Sequence, residues 1–155
     1  MAYTIEDFDQ LGDFKEVSYA SGSSDITLVA GIKLVLHDRV VNYLGINKDD
    51  LGRMGKSRAR ICMNDKKKEL MIYKQTGNVG NVLGGKLSAV ELYSASTGKK
   101  ILKLIDRELK GSGTVGFKDI KFEKTTKNIP FVIVKLESYA AKQGVFVEET
   151  EKLNN

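Results

Sequence analysis

One stretch of 50 residues, from Asp25 to Lys74, constrains the fold of this chain more than any other. It reads DITLVAGIKLVLHDRVVNYLGINKDDLGRMGKSRARICMNDKKKELMIYK. An apolar strand, a short amphipathic helix and a hairpin with a charged tip follow one another in that order. Strand and helix periodicities alternating at such short range predict an α+β unit built around a single core.

The predicted helix of this stretch has one apolar stripe. Four residues lie at i, i+4, i+5 and i+8, which places them on one helical face: Leu36, Val40, Val41 and Leu44. Gly45 is a natural C-cap, because a residue with positive φ costs glycine little. Ile46 would supply the accompanying apolar contact.

A β-hairpin is predicted next, because residues 58–63 alternate between two faces of a strand. Ala59, Ile61 and Met63 alternate with three residues of the opposite face, namely Arg58, Arg60 and Cys62. The tip is predicted at 64–68 and the return strand at 69–74. The continuous apolar run Leu70 to Tyr73 predicts a strand buried on both faces.

The second half of the chain repeats this order in a looser form. It offers a strand at 90–93, a helix capped by Ser96 or Thr97 and running to Lys110, and a hairpin at 117–135 that contains the strand after Pro130. The sequence therefore predicts a single α+β domain over 1–155, a mostly antiparallel, barrel-like sheet with two or three short helices. Pseudo-repeats are expected at about 25–75 and 88–138.

Both ends of the chain carry separate expectations. A short helix is predicted within 3–16, ended by Gly12, and strands are predicted on either side of Ser21–Ser24. A flexible tail is predicted at 148–155.

The first repeat resembles the swapped-hairpin domain of the AbrB/SpoVT type. The resemblance rests on the helix from Gly31 onward that ends in Leu44-Gly45-Ile46, on an acidic residue four positions later, Asp50, and on the hairpin 60–74. It covers about 50 of the 155 residues. The chain departs from the family at the helix start, where Leu36 and His37 stand in place of a proline.

Two further departures concern function. An insert precedes the hairpin at 51–57, and the arginines that read DNA in the family have a counterpart only in Arg39. The resemblance therefore implies a small barrel-like scaffold more than it implies DNA reading. A chain in which both halves share it would build from one polypeptide the pseudo-two-fold barrel that the family builds from two.

The charge distribution favours a polyanionic partner. Residues 31–128 hold 21 Lys/Arg against 10 Asp/Glu, whereas the two flanks are acidic and the whole chain has a net charge of +5. Such a basic body attracts polyanions at long range. The N-terminus lacks the apolar core of a signal peptide, and the lone Cys62 is typical of a reducing compartment, so a cytoplasmic location without a membrane span is expected.

Motifs for catalysis are incomplete. The residues 80–86 fit G-x-x-x-x-G-K, but Leu87 and a strand follow instead of Ser/Thr and a helix, and the G-x-G-x-x-G at 111–116 follows a helix. A Cys-His pair would have to join Cys62 to His37. Carboxylates at Asp49, Asp50 and Asp65 read as loop residues. We expect a protein that is not an enzyme and needs no cofactor or metal.

The predicted contact residues are the basic ones around the first hairpin and on the second helix. They are Arg53, Lys56, Arg58, Arg60, Lys66, Lys67, Lys68, Lys99 and Lys100. Lysines at a helix N-terminus are unfavourable for the macrodipole. Their presence at the predicted start of the second helix therefore indicates that Lys99 and Lys100 contact phosphates or an acidic partner.

Two functions remain open from the sequence. The first is a nucleic-acid-binding or transcription-type module, with duplex DNA favoured. The second is a small protein-binding factor for an acidic protein surface, such as a phage-type accessory protein or an inhibitor of a host defence system. An oligomer is compatible with both.

Overall fold

The computed structural model describes residues 24–141 and 144–147. They form an α+β fold of two antiparallel sheets and two α-helices. The strands are β1 (Ile26–Val29), β2 (Lys33–His37), β3 (Ser57–Asn64), β4 (Glu69–Thr76), β5 (Asn81–Val82), β6 (Gly84–Lys86), β7 (Ala89–Tyr93), β8 (Thr114–Phe117), β9 (Ile120–Lys124), β10 (Pro130–Lys135) and β11 (Tyr139–Ala141). The helices are α1 (Asp38–Leu44) and α2 (Ala95–Leu104), with a 3₁₀ turn at Lys48–Asp50.

The two sheets enclose one core. The six-stranded sheet has the order β11-β8-β1-β2-β7-β6, and the five-stranded sheet has the order β5-β3-β4-β10-β9. Inward side chains of both sheets, such as Leu36 and Phe117 of the first and Leu70 and Val132 of the second, belong to a single buried cluster. Removing these side chains from water is the main driving force that holds the sheets together.

The predicted helical stripe is wrong at its first member. Leu36 lies in β2, which pairs with β1 through a tight turn, and α1 begins only at Asp38. The turn is made by Ala30 and Gly31, whose φ angles are 54° and 67°. Leu34 and Leu36 both point into the core, a period of two that outweighs the helical spacing.

The predicted end of α1 is confirmed. Gly45 has φ 71°, its N–H bonds to the carbonyl of Asn42, and the N–H of Ile46 bonds to the carbonyl of Val41. These two bonds form a Schellman cap, which satisfies carbonyl groups that the helix itself leaves unpaired. Ile46 is buried beside it.

The predicted hairpins are present, but other boundaries differ. β3–β4 and β9–β10 form the two hairpins, and β7 is the predicted strand before the second helix. That helix ends at Leu104 rather than Lys110, and Ser94 caps it by accepting the N–H of Thr97 at 3.2 Å. The strand predicted to be buried on both faces is buried on one, because Met71 and Tyr73 lie on the outer face, which neither of the two described helices covers.

The predicted barrel-like sheet is replaced by two separate sheets among the described residues. The chain leaves the five-stranded sheet after β5 and enters the six-stranded sheet at β6, and the fully buried Leu83 between them points into the core. The crossing therefore fills the space between two sheets instead of continuing one sheet around a barrel.

The same series of elements occurs twice in the chain, and corresponding strands of the two series pair with each other. A hairpin, a helix and a second hairpin occur as β1-β2-α1-β3-β4 and again as β6-β7-α2-β9-β10, with β8 added in the second series. β2 pairs with β7 in one sheet, and β4 pairs with β10 in the other. α1 packs against β10 and α2 against β2, so each helix contacts a strand of the other series.

No helix in the described ranges is long and apolar enough to cross a membrane. The helix predicted within 3–16, the strand before Ser21 and the tail at 148–155 lie outside the described residues.

Candidate nucleic-acid interface

Arg58, one of the predicted contact residues, is buried, and its side chain is hydrogen-bonded within the protein. Only 7% of it is exposed, and its guanidinium donates to the backbone carbonyls of Gly55, Ser57 and Arg53 at 3.1, 2.9 and 2.7 Å. A guanidinium that carries five donors in a rigid fork is well suited to collecting carbonyls from an irregular loop. Arg58 therefore fixes the loop before β3.

The other basic residues of that loop lie at the start of β3. Arg53 is exposed, and Lys56 forms an exposed ion pair with Asp49 at 3.6 Å. Arg60 lies two residues further along the strand, on the outer face of the five-stranded sheet, and donates to Gln75 at 2.9 Å. An exposed pair such as Lys56–Asp49 contributes little to stability and leaves the lysine accessible.

Lys99 and Lys100 lie on α2, away from the β3–β4 hairpin. Both are exposed on α2, which packs over the β1–β2 turn of the six-stranded sheet, where Gly98 approaches Gly31. The structure thus separates these two lysines from the hairpin residues with which the sequence grouped them.

The hairpin tip is where distant basic residues converge. The backbone N–H of Leu136 bonds to the carbonyl of Lys68, and the N–H of Lys135 bonds to the carbonyl of Asp119, both at 3.0 Å. These bonds bring the β3–β4 turn, the end of β10 and the start of β9 to one end of the five-stranded sheet. We call the resulting group the lysine cluster: Lys66, Lys67, Lys68, Lys118, Lys121 and Lys135.

The lysine cluster lies far from the loop before β3. An eight-residue strand spans roughly 26 Å at about 3.3 Å per residue. Arg53 and Lys56 at one end of β3 are therefore unable to contact the same few phosphates as Lys66 and Lys67 at the other.

Two of the six lysines are neutralised locally. Lys135 pairs with Glu69, and Lys68 pairs with Glu137 at 3.8 Å. The hydrogen bond from Lys135 lowers the pKa of Glu69, burial opposes this shift, and the nearby charges of Lys67 and Lys121 lower the pKa further. Lysines from separate hairpins therefore lie close enough to the Glu69 carboxylate to lower its pKa.

The remaining four lysines form no ion pair within the described part of the chain: Lys66, Lys67, Lys118 and Lys121. Asp65 and Asp119 lie in the same region, so the six lysines exceed the four acidic residues by two. The end of the sheet carries a moderate positive charge that is exposed to solvent.

Sequence reasoning missed three members of this group: Lys118, Lys121 and Lys135. Lys121 alternates with the inward Ile120 and Phe122 in β9, which marks it as an outward residue. Lys121 comes near Lys67 only because β10 pairs with both β4 and β9. That long-range pairing is not predictable from a local sequence pattern.

The outer face of the five-stranded sheet has apolar residues at its centre. Strand pairing places Arg60, Tyr73, Phe131 and Glu123 in one row across β3, β4, β10 and β9. The next row holds Cys62, Met71, Ile133 and Lys121, and the row after that includes Asn64, Glu69 and Lys135. We call these three rows the outer face.

His37 and Cys62, the pair considered for nucleophilic catalysis, lie in different sheets. His37 lies in the six-stranded sheet, where its Nε2 is 2.7 Å from the hydroxyl of Thr27, and Cys62 lies in the other sheet. Asp50 is engaged by Lys74. Within the described ranges, no group of three or more His, Cys, Asp or Glu residues is placed to hold a metal ion.

The glycine motifs differ in part from their expected contexts. Residues 80–86 are predicted as a loop but include the short strands β5 and β6, and residues 111–116 do not cap α2, which ends at Leu104, but lead into β8. Compared with known proteins, the chain has no significant match to a family model, a curated protein or a solved structure.

Proposed function

We propose that this chain is a non-catalytic module that binds nucleic acid through the lysine cluster. The observation that carries the proposal is the convergence of Lys66 and Lys67 with Lys118 and Lys121, which come from two hairpins far apart in sequence. Several lysine ammonium groups at one end of a sheet can contact the phosphates of a polynucleotide backbone.

Double-stranded DNA is the favoured ligand. The four lysines that form no ion pair within the described ranges have flexible stems and compact charges, which suit contact with phosphates. Duplex DNA presents the higher density of phosphate charge. Binding of this kind positions a duplex without reading its sequence.

Salt dependence of binding tests the proposal. Fluorescence anisotropy with a labelled 20-base-pair duplex should give an association constant that falls linearly with salt on logarithmic axes. Four phosphate contacts correspond to a slope of roughly −3 to −4. The double variant Lys67→Glu/Lys118→Glu should weaken binding at least tenfold and flatten this slope.

A matched control separates the cluster from net charge. The variant Lys99→Glu/Lys100→Glu makes the same change in charge on α2 and should leave affinity within about threefold, as expected for surface charges beyond a Debye length. Equal losses in both double variants, or no binding by the wild type, would contradict the proposal.

A second candidate function, protein binding, has its own support. The outer face presents the half-buried Met71, Tyr73, Phe131 and Ile133 on a sheet surface that is not covered by either α-helix of the described ranges. Apolar residues grouped in this way are typical of protein interfaces. Binding at this surface would depend on salt far less than binding at the lysine cluster.

We also propose that the two series of elements arose by internal duplication. The support is that β2 pairs with β7 and β4 with β10, so a two-fold axis through both pairs exchanges the hairpin–helix–hairpin series. The matching strand of the first series is β2, not β1 as the sequence indicated. The resemblance to the swapped-hairpin domain remains a proposal of the same kind, limited to the scaffold.

A further inference from the structure

No helix or second sheet among the described residues covers the outer face of the five-stranded sheet, and this face is self-complementary. Its first row runs Arg60, Tyr73, Phe131, Glu123, so a cation and an anion flank two aromatic residues. Its middle row has Met71 beside Ile133, with a depression of about 230 Å³ lined in part by Cys62. Both rows are apolar at the centre, which is the pattern of an interface core.

A two-fold axis parallel to the strands, between β4 and β10, matches this surface to itself. Such a rotation keeps each row at its own level and reverses the order of the strands. Arg60 of one copy then lies over Glu123 of the other, and Tyr73 lies over Phe131. In the middle row Met71 meets Ile133, and at its ends Cys62 of one copy lies opposite Lys121 of the other.

The third row is compatible with the same rotation. The Glu69–Lys135 pair of one copy faces the reversed pair of the other, so that each carboxylate gains a second ammonium group. By contrast, an axis perpendicular to the strands would place Phe131 and Tyr73 over this ion pair, and would bury charges against aromatic rings. Charge complementarity therefore selects the first axis.

We propose that this outer face is the contact surface of a homodimer in which Arg60 of each copy pairs with Glu123 of the other. Glu123 is exposed, and its carboxylate forms no ion pair within the described ranges. Arg60 is half-buried and already oriented by Gln75. This proposal does not depend on nucleic-acid binding.

The dimer is expected to be weak. β3 and β4 have eight residues each, β10 has six and β9 has five, so strands about 4.8 Å apart with a rise of about 3.3 Å per residue give a face of roughly 430 Å² per copy. An area of this size falls in the class of weak or transient interfaces. The axis also brings the two lysine clusters to the same end of the dimer, because each row keeps its level.

Sedimentation velocity over a concentration series tests the dimer. The wild type should shift with concentration from 17.2 kDa toward twice that mass. Arg60→Glu and Glu123→Arg should each weaken dimerisation at least tenfold, since each places like charges opposite one another. The double variant Arg60→Glu/Glu123→Arg should return to within about threefold of the wild-type constant.

The charge-swap series also separates this face from any other. Lys99→Glu, an equal change of charge on α2, should leave the dissociation constant unchanged. A wild type that stays monomeric up to about 1 mM overturns the proposal. So does a dimer that neither single variant weakens, which would place the contact on another surface, or a double variant that is folded but does not recover.

Cys62 gives a test that needs no substitution. It is the one cysteine of the chain and is exposed on the outer face. Its reaction with a maleimide should slow as protein concentration rises through the dimerisation range. A rate constant that is independent of concentration while the mass doubles would show that the dimer forms elsewhere.

Discussion

Lys74 reaches across from β4 and donates from Nζ to Oδ2 of Asp50 at 3.2 Å. The same carboxylate oxygen accepts the backbone N–H of Asn47 at 2.9 Å. Lys74 also donates to the carbonyl of Gly45 at 2.7 Å, at the C-cap of α1. Asp50 is only 4% exposed. The Lys74–Asp50 pair thus ties the end of α1 and the 3₁₀ turn to the β3–β4 hairpin.

Asp50→Asn should destabilise the protein and alter its response to acid. Burial alone would raise the pKa of Asp50, but hydrogen bonds from Asn47, Ser57 and Lys74 and the charge of Lys74 lower it, with a net shift below the ordinary value of 3.8. The stabilisation is therefore present above about pH 4 and is lost as pH falls through the folded-state pKa. We expect a loss of about 1–3 kcal/mol at pH 7.

Urea denaturation between about pH 7 and pH 3 measures both effects. The wild type should lose stability on acidification more steeply than Asp50→Asn, since the variant lacks the group that titrates. Parallel pH profiles for the two proteins would show that Asp50 does not contribute through its charge.

Gly98→Ala should destabilise, although alanine is the better helix former. A Cβ at this position would lie 1.9 Å from the carbonyl oxygen of Gly31, so either the helix or the β1–β2 turn must move. The overpacking should cost about 1–3 kcal/mol and exceed the gain in helix propensity. Ser96→Ala, exposed on the same helix, is the control in thermal denaturation and should not lower the midpoint.

Arg58→Ala should destabilise and Arg60→Ala should not, although both arginines lie on the same strand. Removing the Arg58 guanidinium leaves three backbone carbonyls to find other donors, at a cost of about 2–3 kcal/mol. Arg60 makes one side-chain bond at the surface, and its loss should stay within about 0.5 kcal/mol. Chemical denaturation at low protein concentration compares the two, and equal losses would remove Arg58 as the support of the loop.

Local patterns in the sequence predicted much of this fold. The αL cap at Gly45, the β3–β4 hairpin and the strand after Pro130 were all found from glycine, alternation and β-branched content. α1 was placed too early, because Leu36 fits both a helical stripe and a strand of period two. Only the partner strands β1 and β7 decide between these patterns.

The candidate sites were less accessible to sequence reasoning. Arg58 and Arg60 have the same residue type and the same phase in β3, yet a loop folds over one and leaves the other at the surface. The lysine cluster depends on β10 lying between β4 and β9, a long-range pairing.

What the sequence by itself determined is the set of local elements, since caps, turns and alternation act over a few residues. What only the tertiary structure decided is which faces remain open. Leu70, Met71, Ile72 and Tyr73 are a single apolar run, and they read as a strand buried on both sides. The core covers Leu70 and Ile72, whereas Met71 and Tyr73 face outward, because the described elements place a second layer on one side of this sheet only.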